Sequence, residues 1–266
     1  TDKSQLKGLP KSQVDQAELA AQEKSLEGWV ITLHAPSFVP FMQYSEVREL
    51  REQLYRAYMT KCTKDNEYNN FDVCRKLVNL RMELAQLLGY PNYATYVLKN
   101  RMAETPDKVY ELLENLKIYY FESGKHDVAA VEALAKEQEG KDFTLQPWDF
   151  AHYSHLLQLR DYNLDAEMLR PYLELSNVTS GVFNLATTLY GITFEENKDI
   201  PVYHPDVKAY DVLDNDGVFL AVLYTDFFPR TSKQSGAWMT SYQEEYIDDK
   251  GEHRPHVSVT MNFTKP

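Results

Sequence analysis

His152 and His155, in the stretch DFAHYSHLLQL, are the side chains whose type and spacing come closest to holding a metal. Three residues apart, they share a face if the stretch is helical. Two imidazoles fall short of zinc's needs, which are a third protein ligand and a fourth position left open. The pair therefore reads as surface or capping histidines. His253 and His256 flank Pro255 in a turn, which works against convergence. The acidic run FEENKD at 194–199 and the pair Glu244-Glu245 read as solvated faces rather than an acid–base dyad. SGVFNLATTLYG lacks the glycine spacing and the preceding strand of a phosphate loop or dinucleotide fingerprint. Neither a G-x-S-x-G elbow nor a locally supported Cys–His arrangement occurs. Cys62 and Cys74 read as ordinary reduced thiols. H-E-x-x-H, the helical zinc-peptidase motif, is absent from the 266 residues. From the residues alone, this is a soluble α+β fragment without a self-contained catalytic site.

Helices come first along the chain. Val47, Leu50, Leu54 and Ala57 recur at helical spacing, and so do Val73, Leu77, Leu80, Leu84 and Leu87, closed by Gly89 with Pro91 beyond. Thr105 is a candidate N-cap with Pro106 at the first helical position, and Val109, Leu112, Leu113 and Leu116 line one face. That helix is predicted to pass Gly124 and run to Gly140. Another places Val182, Leu185, Ala186 and Leu189 inward and stops at Gly191.

From about Val202 the period changes to that of strands. VKAYDVLDNDGVFLAVLYTDFF reads as a hairpin turning at Asp214-Asn215-Asp216-Gly217, with a second arm apolar on both faces. GAWMTSY and HVSVTMNF are two further strands separated by the polar turn DDKGEHRP. In the last of them Val257, Val259, Met261 and Phe263 alternate with His256, Ser258, Thr260 and Asn262, so the valine face is expected inward. The predicted class is mainly α with a small antiparallel β-sheet near the C-terminal end.

Composition narrows the partners. Lys plus Arg is 28 against 40 Asp plus Glu, a net charge of −12, the wrong sign for nucleic acid or an anionic membrane. No apolar run approaches membrane-spanning length, and the start shows neither an initiator Met nor a signal-peptide core. Both ends read as cut from a longer parent. Two cysteines lean toward a reducing, cytoplasmic setting.

Several blocks in one order carry a resemblance: LLGYPNYATYVLKNRMAETPDKVYELLENL, QPWDFAHYS, LDAEMLRPYLELSNVTSGVFNLATTLYGITF, FLAVLYTDFFPRTSKQSGAWM and RPHVSVTMNFTKP. Together they resemble the central part of the thimet-oligopeptidase family of zinc metallopeptidases, over essentially the whole chain. Gly236-Ala237-Trp238-Met239 is most similar to the peptidyl-dipeptidase branch, because the endopeptidase branch usually shows His-Ala near this place. The resemblance implies a parent that hydrolyses short peptides with zinc, releasing C-terminal dipeptides. Its H-E-x-x-H helix and further glutamate ligand would follow Pro266, so no catalytic or metal residue carries over and this chain would bind no zinc. Residues 1–200 would form the helical channel wall, and 201–266 a small sheet region bordering the active site, completed by a C-terminal catalytic part.

An internally cleaving oligopeptidase is the alternative within the class. A non-catalytic helical peptide-binding module is the alternative outside it. One substrate site is expected in the chain itself: Gly236 and Ala237 are small enough for a peptide backbone to approach, and Trp238 offers an apolar surface to a substrate side chain. Against that, Trp238 could simply plug the sheet as a core residue.

Overall fold

The computed structural model describes residues 2–230, 232–234 and 236–263. The chain forms two compact units, 1–47 with 158–266, and 48–157.

The first unit begins with helices α1 (Lys11–Gln22) and α2 (Ala35–Tyr44), which pack on each other. Small residues on α1, Ala17 and Ala21, are buried, as are Phe41 and Met42 of α2. The chain leaving α1 folds back along it, with Leu26 N–H donating to the Ala21 carbonyl and Val30 N–H to that of Ala17, both at 2.9 Å.

The second unit holds α3 (Arg48–Met59), α4 (Phe71–Leu87), α5 (Tyr93–Leu98), α6 (Pro106–Glu139) and the first two turns of α7 (Phe150–Tyr162). Helix α6 starts and stops where its sequence directs: Thr105 caps the Lys108 N–H, and Gly140 N–H closes on the Lys136 carbonyl. Its C-terminal half carries the core. Val131 and Ala135 pack with Tyr153 of α7, and Phe143, Leu145, Leu156 and Leu157 cover them. Asp149, fully buried just before α7, accepts hydrogen bonds from Arg48 (Nη2 to Oδ2, 2.7 Å) and Arg51 (Nη2 to Oδ1, 3.0 Å), one turn apart on α3. The stripes predicted to face inward on α4 (Val73, Leu77, Leu80, Leu84, Leu87) and on the first half of α6 (Leu112, Leu113, Leu116) are exposed in this chain.

Helix α8 (Leu175–Tyr190) returns to the first unit. It ends at Gly191, whose φ of +72° is the left-handed cap conformation; a Cβ there would also strike the Asn215 carboxamide. Strands β1 (Thr193–Glu196), β2 (Lys208–Leu213), β3 (Phe219–Asp226), β4 (Trp238–Gln243), β5 (Tyr246–Asp248), β6 (Gly251–His253) and β7 (His256–Thr260) follow. Phe183 of α8 stacks on Phe194 of β1 at 4.1 Å and meets Tyr210 of β2 edge-on at 5.1 Å. This fixes α8 to the sheet although its stripe of Val182, Leu185 and Leu189 is exposed. The β2–β3 turn is built by Asp214, whose carboxylate accepts from the N–H groups of Asp216 and Val218. Val207, Ala209, Val222 and Tyr224 form the sheet core, with Ile200 against it.

The main sheet runs β1-β2-β3-β7-β4, and β5–β6 is a separate hairpin that begins at Tyr246 and runs into the stretch DDKGEHRP predicted as a plain turn. The predicted class holds, with one correction: the sheet is mixed. Strand β7 lies between β3 and β4, parallel to β3 (Val222↔His256 through Asp226↔Thr260) and antiparallel to β4. The excursion through β4 to β6 is long enough to bring the chain back to the same end of β3, which a tight hairpin cannot do. A second correction follows from the interior position of β7. Ser258 and Thr260 are its buried residues, while Val257 and Val259 are half-buried, the reverse of the predicted face.

Candidate functional site

Among the described residues, strand β4 is an edge strand, paired only with β7. It begins at Trp238, opposite Thr260, and Gly236 and Ala237 lead into it. The three residues predicted to receive a peptide therefore adjoin one another at the mouth of an open edge, and all are exposed. Gly236 has φ +110°, a conformation that L side chains rarely adopt, and a Cβ built there meets nothing within 4 Å. Space for an approaching backbone is thus present. Trp238 is 37% exposed. An unpaired edge offers main-chain N–H and C=O groups to any extended peptide, independent of its sequence.

A buried charge centre organises the approach to this edge. Asp226, at the end of β3, accepts from both Arg230 guanidinium nitrogens (Nη1 to Oδ1 and Nη2 to Oδ2, each 2.8 Å) and from Tyr203 Oη at 2.9 Å. Lys233 Nζ donates to Asp226 Oδ1 (2.9 Å) and to the carbonyls of Asp226 (2.7 Å) and Phe228 (2.8 Å). Burial pushes the Asp226 carboxyl up, but the hydrogen bonds from Arg230, Lys233 and Tyr203 outweigh it and hold the group at about 2. The same burial, with hydrogen bonds to Tyr242 and Asp226, raises Tyr203 well above the usual phenol range. The strand-to-strand connection is pinned from the other side too. Met261 N–H donates to the Asp226 carbonyl and Phe263 N–H to that of Phe227, and Asn262 Nδ2 donates to the carbonyls of Gln234 (3.0 Å) and Gly236 (2.7 Å). Beside β4, Tyr242 lies edge-on to Tyr203 and Tyr224, and Tyr224 Oη is 3.1 Å from His256 Nδ1.

The other singled-out groups do not join this site. His152 and His155 lie on α7 and are each 8% exposed, a correction to the surface placement expected of them. The reason is visible in the neighbouring Tyr153, which anchors the core of the second unit. His253 pairs with Asp248 at 3.0 Å and stacks on Tyr246, whereas His256 faces Tyr224. Glu196 pairs with Lys208 and Glu245 with Arg254, and both cysteines are free and exposed. Among the described residues no three His, Cys, Asp or Glu side chains come together as metal ligands, so these residues do not fit a zinc centre. Among the described residues, the arrangement supplies an exposed strand edge.

Residue-by-residue reading missed the Asp226 centre. The signal was the spacing in TDFFPRTSK, where cations four and seven residues after an acid sit at the end of an apolar strand.

Oligopeptidase A of Escherichia coli (strain K12) is 36% identical over 271 residues, covering 100% of this chain and 40% of that protein. Dipeptidyl carboxypeptidase of the same organism is 35% identical over 267 residues, covering 100% of the chain and 39% of its own length. The organellar oligopeptidase A of Arabidopsis thaliana is 37% identical over 280 residues, again covering 100% of the chain and 35% of that protein. The chain thus spans about two-fifths of the length of the bacterial relatives. The resemblance found in the sequence blocks is borne out by a family model matching residues 41–266, and the chain belongs to peptidase family M3.

Proposed function

We propose that residues 1–266 form part of a zinc metallopeptidase that hydrolyses short peptides and releases dipeptides from their C-termini. Family membership carries the reading, supported by relatives named oligopeptidase A and dipeptidyl carboxypeptidase. The sequence Gly236-Ala237-Trp238-Met239 favours the dipeptide-releasing branch. Internal cleavage is the second reading, favoured by the oligopeptidase A relatives, whose identity of 36–37% stands beside 35% for dipeptidyl carboxypeptidase.

In this proposal residues 1–200 form the channel wall and 201–266 border the active site. Zinc and its H-E-x-x-H helix belong to a part of the parent that these residues do not include, and the chain alone is inactive. The setting is cytoplasmic, in keeping with an Arabidopsis relative named a probable cytosolic oligopeptidase A. No described helix is long and apolar enough to cross a membrane, and the acidic charge disfavours nucleic-acid partners.

An extended peptide would add to the open edge of β4, its main chain held by hydrogen bonds and one apolar side chain resting on Trp238. The parent protein, assayed with N-blocked pentapeptides, tests the reading. Dipeptide release from a free-acid substrate that vanishes with a C-terminal amide fits the first proposal; cleavage of both fits the second. No hydrolysis by zinc-loaded parent would leave only a peptide-binding module. For the edge itself, Trp238→Ala should lower kcat/KM, with a loss in Tm smaller than that of a fully buried tryptophan, because the side chain is 37% exposed. Gly236→Val is a less clean probe, since its positive φ adds backbone strain to any effect on substrate.

A further inference from the structure

In the first unit, a cavity of about 140 Å³ lies beside α1, between that helix and the returning segment 30–37. Its apolar walls include Ala17, Val30 and Phe41, and Arg230 closes another side. Two glutamines, Gln13 and Gln16, line it from α1. Three residues apart, they present their carboxamides from one helix face. Gln16 Oε1 is buried and accepts no hydrogen bond. Gln13 is 8% exposed, and no described residue hydrogen-bonds its carboxamide.

Buried polar groups are almost always paired, so the orphaned Gln16 oxygen, with Gln13 beside it on the same wall, calls for a ligand that brings a donor. Its chemistry follows from theirs. Each carboxamide offers an acceptor oxygen and a donor NH2, so the pair complements a group that itself carries one donor and one acceptor. The Arg230 guanidinium is already answered by both carboxylate oxygens of Asp226, and the charged Glu23 and Lys24 of the lining are exposed, so the buried orphan on the wall is the neutral Gln16 carboxamide oxygen. A neutral amide N–H answers that acceptor without bringing a charge into the apolar part of the cavity. The apolar remainder sets the size, since a cavity of roughly 150 Å³ takes a benzene-sized group.

We propose that this cavity binds a peptide chain by one internal amide, with a leucine- or phenylalanine-sized side chain in its apolar part. The site stands independently of the zinc chemistry: it is complete within residues 9–41 and 229–230.

The test is a titration of the 266-residue chain with N-acetyl-leucinamide and N-acetyl-phenylalaninamide, followed through backbone amide chemical shifts. Saturable shifts confined to α1 and residues 28–37 are expected. Gln16→Leu removes the buried acceptor and should weaken binding about tenfold. Methyl isovalerate, which keeps the apolar group but has no N–H, should bind wild type about tenfold more weakly than the amide, for the same reason. Ala20→Leu narrows the cavity without touching the glutamines and should abolish binding, which keeps the proposal exposed if Gln16→Leu does not fold. No saturable shift with either amide would mean that the cavity holds only water, and would overturn the proposal. Equal affinity for ester and amide, or unchanged affinity in Gln16→Leu, would overturn it as well.

Discussion

Asp149 and Asp226 are two solutions to one electrostatic problem. Each carboxylate is shut away from water, with exposures of 0% and 1%, and each is answered by two cations. Asp149 draws its partners from 98 and 101 residues away, so it fastens the start of α7 to α3. Asp226 draws Arg230 and Lys233 from the next seven residues, with Tyr203 as the one distant partner, so it folds the segment that leads to β4. The same chemistry serves as a tertiary staple in one unit and as a local clamp in the other. Sequence separation of the partners decides which.

The contrast is broken most severely by Asp149→Ala. Arg51, 2% exposed, would be left as a buried cation beside Arg48, and removing one partner of such a pair costs about 3–5 kcal/mol. Denaturant unfolding should show this as a lowered midpoint. A loss below about 1 kcal/mol would mean that the staple is dispensable. Asp226→Asn should cost less, about 1.5–3 kcal/mol, because Lys233 keeps its two carbonyl acceptors and Arg230 reaches solvent. Its effect should also be local: faster amide exchange at residues 227–234, with α3 and α7 unchanged. Global loosening would erase the distinction drawn here.

Acid sharpens the comparison further. Asp226 is held at about 2, below the ordinary value near 3.9 of an unfolded aspartate. Its contribution is therefore fully present above about pH 4 and is lost as pH falls through 2. Asp226→Asn should flatten this part of the acid unfolding curve, and an unchanged slope would contradict the assignment. Tyr203→Phe is the mildest test. It removes one hydrogen bond to the carboxylate, should cost about 1 kcal/mol, and should move the Asp226 titration upward.

Local signals in the sequence were read correctly where the structure depends on nearest neighbours. Thr105 and Gly140 bound α6, Gly191 ends α8, and Asp214 makes the β2–β3 turn, each through contacts within a few residues. What depends on distant partners was not legible. The parallel β3–β7 pairing requires knowing that a long excursion returns, and the buried Ser258 and Thr260 follow only from that pairing. Strand β1 is four residues long and was hidden by the polar run that overlaps it. The Arg48 and Arg51 partners of Asp149 carry no local mark at all. Of the candidate site, Gly236, Ala237 and Trp238 were proposed from the sequence on residue size and an apolar ring, and the structure places them side by side at the start of β4, whereas the Asp226 clamp needed coordinates.

The placement of β7 between β3 and β4 also sets an order of assembly. Strands β2 and β3 adjoin in sequence and can zip together as soon as both exist, at the cost of closing a short loop. Strand β4 comes next along the chain but has no partner in the sheet until β7 arrives, since β7 is the strand it pairs with. On a ribosome, residues 238–243 must wait while residues 244–255, through the β5–β6 hairpin, and then β7 itself are synthesised and turned back. The edge strand β4 is therefore placed in the sheet only after β7, although it precedes β7 in the chain.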